Sequence, residues 1–260
     1  TAKAGSPVED ELAEAAPLKK ISGKRVAGEG LHTWLERKVV LFTILTTVAI
    51  LIGGLVEIVP LILVKSNVPT IASVKPYTPL ELEGRDIYIR EGCNNCHSQM
   101  IRPFRSEVER YGEYSKAGEF VYDFPFLWGS RRTGPDVHRV GGKYNNNWHF
   151  NHMSDPRSTS PGSIMPRYSW LIQNDLNVSN IEDKMEGLVK LGVPYSAEEI
   201  AGAKAQLLAQ AKEIEESLRQ DPEFVSNYGS SNIQNKEIVA LIAYLQRLGT
   251  DIKAGNTAQK

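Results

Sequence analysis

From Val39 to Val56 the chain carries no charged residue, and after a single Glu57 the apolar run resumes from Ile58 to Val64. At about 1.5 Å per helical residue the first part spans roughly 27 Å and the whole roughly 39 Å, against a hydrocarbon core of about 30 Å. A lone apolar segment crosses lipid only as a helix, because nothing else there satisfies its peptide groups. One transmembrane helix is therefore predicted within residues 34–66. The run is too long for a signal sequence, and Lys65-Ser66-Asn67-Val68-Pro69 offers no small-residue cleavage site, so the segment is expected to stay as an anchor in the lipid bilayer. Lys19, Lys20, Lys24, Arg25, Arg37 and Lys38 all precede it. A basic flank marks the cytoplasmic side, which puts the remainder of the chain in the periplasm, outside an inner membrane.

Glu57 has two readings. A carboxylate inside a membrane segment is a functional candidate, and near the outer boundary beside Pro60 it is equally a group reached by water or by a polar neighbour. Gly53-Gly54 permits close helix approach, which points to a membrane partner. The net charge of −1 gives no reason to expect nucleic acid.

The chemistry lies further on, in Gly92-Cys93-Asn94-Asn95-Cys96-His97. Cys-x-x-Cys-His is the attachment signature of a c-type haem: the two thiols add across the vinyl groups and the histidine faces the iron. Cys93 and Cys96 are the only cysteines, so a four-ligand zinc site lacks its other thiols, and no second histidine pair has finger-like spacing. A dithiol redox pair would need an alternating strand and helix pattern, which is not found.

The rest reads as support for that motif. Residues 1–33 form a polar arm, 67–80 a connector stiffened by Pro69, Pro76 and Pro79, 81–250 the haem domain and 251–260 a tail. Thr78-Pro79-Leu80-Glu81 has the form of a capped helix start, and that helix delivers Cys93. Gly84 and Tyr88 share one of its faces. Near the other end Ile238, Leu241, Ile242, Leu245 and Leu248 recur at helical spacing, with Asn235 as the expected cap and Gly249 as the stop. First and last helices crossing at a glycine, with Tyr88 and Tyr244 at the crossing, resemble the class I cytochrome c fold. The fold class is therefore mainly α: a single transmembrane helix, then a class I cytochrome c-like domain with an extra helical segment.

The second axial ligand decides between an electron carrier and an open, reactive site. Met100 is tethered on the same side as His97, and Met185 lies in a charged segment expected to be exposed. Met165, in Gly162-Ser163-Ile164-Met165-Pro166, is the candidate, with His152 its chief rival and Met153 next. Thr133-Gly134-Pro135-Asp136-Val137 resembles the Gly-Pro loop of class I cytochromes, in which the proline carbonyl orients the proximal imidazole; Pro135 is then the partner of His97.

Longer stretches carry a closer resemblance: GLVEIVPL from Gly54, GCNNCHSQMIRPF from Gly92, GEYSKAGEFVYDFPFLWGSRRTGPDVHR from Gly112, and Trp148 to Leu171. Together they are similar to the membrane-anchored mono-haem second subunit of cbb3-type cytochrome c oxidases. The resemblance implies a subunit that is no enzyme on its own. It would take single electrons from another c-type cytochrome subunit and pass them to the haem-copper catalytic subunit, which reduces O2 to water with proton translocation. It also implies a calcium ion at the subunit interface, with Ser98 as a contact. Two alternatives stand beside it: the cytochrome subunit of a nitric oxide reductase, and a haem-based sensor or peroxidase with an open sixth position.

Residues 174–228 depart from the resemblance. Within them Ser196-Ala197-Glu198-Glu199 caps a helix whose apolar stripe, Ile200 to Leu218, is expected to lie on the cytochrome domain or on a partner. The aromatic run from Phe104 to Trp128 is divided between haem-pocket wall and docking surface. Arg102, Arg105, Arg131, Arg132 and Arg139 are either propionate partners or solvated.

Overall fold

The computed structural model describes residues 30–64, 69–129 and 131–257, so most of the polar arm read over 1–33 lies outside the described residues. The chain divides into two compact units between Asn67 and Val68.

In the first unit a short helix, α1 (Leu31–Glu36), is broken at Lys38 and followed by α2 (Val39–Leu63). The helix α2 runs unbroken through Pro60, whose carbonyl accepts from Val64 N at 2.9 Å. Valine, isoleucine and leucine stand exposed along its whole length, Val39 by 71% and Leu63 by 74%. A soluble helix would hide one such face; this one has the length and composition to cross a membrane. Glu57 lies exposed on it, and among the described residues nothing outside the helix's own backbone lies within 4 Å of where a Cβ on Gly53 or Gly54 would sit.

The regular elements of the second unit are all helical among the described residues, and an isolated β-bridge joins Asp175 to Lys236. Its elements in order are α3 (Pro79–Arg90), a 3-10 turn at Cys93–Asn95, α4 (Arg105–Tyr111), a second 3-10 turn at Ala117–Phe120, α5 (Asn146–Ser154), α6 (Pro156–Thr159), α7 (Trp170–Gln173), α8 (Ile181–Lys190), α9 (Ala197–Ala201), α10 (Ala203–Leu218), α11 (Pro222–Tyr228), α12 (Glu237–Arg247) and α13 (Thr250–Thr257).

The centre of the unit is the crossing of α3 and α12. Thr78 and Glu81 close the predicted capping box: Glu81 N donates to Thr78 Oγ1 and Thr78 N to Glu81 Oε2 at 2.8 Å. A Cβ on Gly84 would stand 1.9 Å from the carbonyl oxygen of Ala240, so only glycine lets the two backbones meet. Tyr88 and Tyr244 pack edge to face at 5.4 Å beside that contact, and Arg90 holds Glu237 with two bonds of 2.7 Å. The start of α12 differs from expectation. Lys236, not Asn235, is the N-cap residue and makes no side-chain cap; the Asn235 carbonyl instead accepts from Leu176 N, pairing two loops. Residues 250–257 are helical, where a tail was expected.

The acidic segment settles on its own domain. Its capping box at Ser196 and Glu199 forms, but Gly202 divides the expected helix into α9 and α10. Ala203, Leu207, Ala211, Ile214 and Leu218 are buried in the common core with residues of α3, α5 and α12. Lys184 of α8 pairs with Glu83 and Asp86 of α3. Met185, expected to be exposed, is 1% exposed, because its face of α8 turns inward while the charges around it face out.

Candidate haem site

Gly92, at φ 70°, ends α3 in the left-handed conformation that lets the chain turn sharply. The 3-10 turn that follows is closed by His97 N donating to Cys93 O at 2.9 Å, so Cys93, Cys96 and His97 come from one compact loop. Neither cysteine is in a disulfide. Burial, with Glu91 adding to it, pushes the Cys93 thiol up to about 12.

The Gly-Pro loop lies against this turn. His97 Nδ1 stands 2.8 Å from the carbonyl oxygen of Pro135. A carbonyl only accepts, so Nδ1 carries the proton and the Nε2 lone pair is left for a metal. A Cβ on Gly134 would lie 2.3 Å from His97 Cε1, which makes this glycine a condition of the contact. Gly134 N donates to Cys96 O at 3.0 Å and Val137 N to Ser98 O at 2.9 Å. The Asp136 carboxylate completes the clamp, accepting from Ser98 Oγ at 2.6 Å, Met100 N at 2.9 Å and His138 N at 2.9 Å. Sequence reasoning overlooked Asp136; its position next to Pro135 was the one signal for it.

Ser98 is 1% exposed, and its hydroxyl accepts from Arg132 Nε at 2.7 Å while donating to Asp136. Among the described residues no cluster of three or more His, Cys, Asp or Glu is arranged for a metal ion. Four of the arginines offered to the propionates are spent on protein carboxylates: Arg102 and Arg132 on Glu107, Arg105 on Glu109, Arg139 on Glu119. The aromatic run contains both buried and exposed rings. Phe120 is buried and stacks on His138, whereas Phe104, Phe126 and Trp128 are exposed, the last two stacked at 4.4 Å.

After the Gly-Pro loop come α5, α6 and a strap that leads to α7. Tyr168 N donates to Met153 O at 2.8 Å, and Trp170 Nε1 donates to Glu91 Oε2 at 3.1 Å, so the strap runs from α5 back to the end of α3. Burial raises the pKa of Tyr168, and Cys93 and Cys96 add to that. Met165 is half-buried within the strap and packs against the common core. Its rivals have different surroundings. Met153 is 8% exposed and belongs to the core. His152 is half-buried, its pKa lowered by burial and further by His97. His149 is 1% exposed with both ring nitrogens unpaired among the described residues, and burial, assisted by His152, holds it down at about 4.

The two thiols and an imidazole whose Nε2 is left free make a donor set that fits a covalently held haem, and the strap carries a thioether. Crossed terminal helices, a Cys-x-x-Cys-His turn and a Gly-Pro carbonyl behind its histidine define a class I cytochrome c-like domain, here in a chain with a membrane-length helix. The chain belongs to the FixO family, the mono-haem subunit of cytochrome c oxidase, whose family model matches residues 32–252; it is a second subunit of the cbb3 type. The matched range runs through 174–228, the segment that the sequence set apart. No curated protein matches the chain. As a member of this family it is a membrane-anchored subunit of a multi-subunit oxidase with one haem.

Proposed function

We propose that this subunit relays single electrons through one covalently bound haem c, from another c-type cytochrome subunit to the haem-copper catalytic subunit that reduces O2. Cys93 and Cys96 would hold the haem through thioether links, His97 Nε2 and the Met165 sulfur would be its iron donors, and Pro135 would keep the His97 ring oriented towards it. When bound, haem c supplies reversible one-electron chemistry; the chain's residues bind it, orient it and limit access to it. Hydrogen bonding of Nδ1 to Pro135 makes His97 a better donor, and a thioether opposite it favours the reduced state, which suits a carrier near the oxygen end of a respiratory chain. The basic residues before α2 support a periplasmic haem domain. Calcium at Ser98 has no support in its surroundings, because the Arg132 guanidinium already occupies that hydroxyl.

The observation that carries this reading is the clamp of His97 by Pro135, which presents one imidazole lone pair beside two free thiols. The test is the absorption spectrum of the purified complex, oxidised and reduced, before and after Met165→Ala. A weak methionine-to-iron band at the red end, lost on substitution, is the expected result. If that band never appears and the reduced c-type haem binds carbon monoxide, the sixth position is open and the sensor or peroxidase reading replaces this one.

A further inference from the structure

The second unit holds a cleft of about 40 Å³ that the electron-relay reading does not use. Its walls include Tyr77 ahead of α3, Gln99 two residues past His97, Glu119 and Asp123 at the second 3-10 turn, and His138 of the Gly-Pro loop; the turn between α12 and α13 completes it. Of the residues that line it, Lys75 is exposed and Tyr122 half-buried, so solvent has a way in.

Two of these side chains, each only 5% exposed, bring an unsatisfied atom to the cleft. Asp123 Oδ1 has Arg85 Nε as an ion partner at 3.4 Å, but no hydrogen bond among the described residues. His138 Nε2 lies 3.0 Å from Glu119 Oε2. That carboxyl, held at about 2, is ionised and only accepts, so Nε2 carries the proton. The other ring nitrogen, Nδ1, is buried with no hydrogen-bond partner among the described residues. One turn of chain brings the two side chains together: the Phe120 ring stacks on His138 at 4.7 Å, and Asp123 N donates to Phe120 O at 2.9 Å.

Charge around the cleft is already balanced. Each carboxylate that lines it has an arginine: Asp123 has Arg85, Glu119 has Arg139 and Asp251 has Arg247. No net negative charge is left for a cation, and a neutral His138 ring fits this balance. Its Nδ1 is then a lone pair facing the same space as Asp123 Oδ1, and two acceptors cannot bond each other. They need an uncharged donor with two protons. One water needs roughly 10–15 Å³ of such space, so the cleft has room for about three. We propose that this cleft is a water-binding site, in which bound water donates to Asp123 Oδ1 and His138 Nδ1 and so ties the segment after the second 3-10 turn to the Gly-Pro loop. The site stands whichever residue is the second iron donor.

The test is a crystallographic or cryo-electron microscopy map of the intact oxidase complex, sharp enough to show ordered water elsewhere in the same domain. Expected is a peak, or a hydrogen-bonded pair of peaks, that reaches both Asp123 Oδ1 and His138 Nδ1 at about 2.7–3.2 Å. An empty cleft overturns the proposal, as does a peak on only one of the two atoms or direct contact between the two side chains. A peak with several oxygen contacts of about 2.0–2.6 Å marks a metal ion and overturns it as well. His138→Gln sharpens the test, because its amide nitrogen can replace Nε2 towards Glu119 while nothing replaces Nδ1. Expected there is loss of the bridge, with the peak gone or left on Asp123 alone. A bridge peak unchanged in His138→Gln overturns the proposal, and if that variant does not assemble, the wild-type map decides.

Discussion

The two sides of the haem site are built from different materials. On the His97 side, residues 92–139 are stitched by carboxylates: Asp136 accepts from four donors, Glu107 holds Arg102 and Arg132, and Glu119 holds Arg139 with His138 beside it. On the α5 side, residues 144–173 rely on stacked rings, Tyr144 on Trp148 at 3.9 Å and Trp148 on His152, with a few backbone bonds and one more exposed carboxylate, Asp155, paired with Arg157 and Arg167. Buried charge that is fully paired loses much when one partner goes, whereas stacking and backbone turns give way piecemeal. The His97 side is therefore held chiefly by paired charge, and the α5 side chiefly by stacking and backbone bonds.

The sharpest way to break this contrast is Asp136→Ala, which leaves Ser98, Met100 N and His138 N without their acceptor in a buried place. A loss of about 3–5 kcal/mol in denaturant unfolding is expected. A loss under about 1 kcal/mol would show that the clamp on the His97 side is ornamental.

Acid separates the two sides next. His149 is held at about 4, below its ordinary 6.5, so the unfolded chain takes the proton first and stability on the α5 side drains as pH falls from 6.5 to about 4. Burial alone would raise Glu119, but His138 and Arg139 overcome it and hold the carboxyl at about 2. Its contribution is present above the ordinary 4.5 and is lost only as pH falls from there towards 2. Hydrogen exchange, corrected for intrinsic rates, should show α5 losing protection before residues 133–139. Simultaneous loss contradicts the contrast.

Gly134→Ala presses a methyl group into the His97 ring. It should cost about 1–3 kcal/mol and shift the haem reduction potential, because the imidazole must turn away from Pro135. An unchanged potential would mean that the ring has room to move. Ile164→Ala, on the exposed crest of the strap, should change thermal stability by less than about 0.5 kcal/mol.

Much of this was legible in the chain. The membrane helix, the capping box at Thr78, the Gly84 crossing and the Cys-x-x-Cys-His turn are local signals, each carried by a few neighbouring residues. The errors fell where a long-range contact outweighed the local pattern. Asn235 lost its cap to a pairing with the loop at Leu176, and charged neighbours concealed that Met185 faces inward. Four arginines that looked available had carboxylate partners; three of those pairs, Arg102–Glu107, Arg132–Glu107 and Arg139–Glu119, lie five to twenty-five residues apart.

By itself, then, the sequence determined which residues carry chemistry and which segment meets lipid, because thiol spacing and an unbroken apolar run are properties of the chain alone. Tertiary structure decided which donors stand in place. The hydrogen bond from His97 to Pro135 and the convergence on Asp136 depend on segments distant in sequence meeting at hydrogen-bond range. No local pattern sets those distances; the packing of α3 against α12 and of the strap against α5 does.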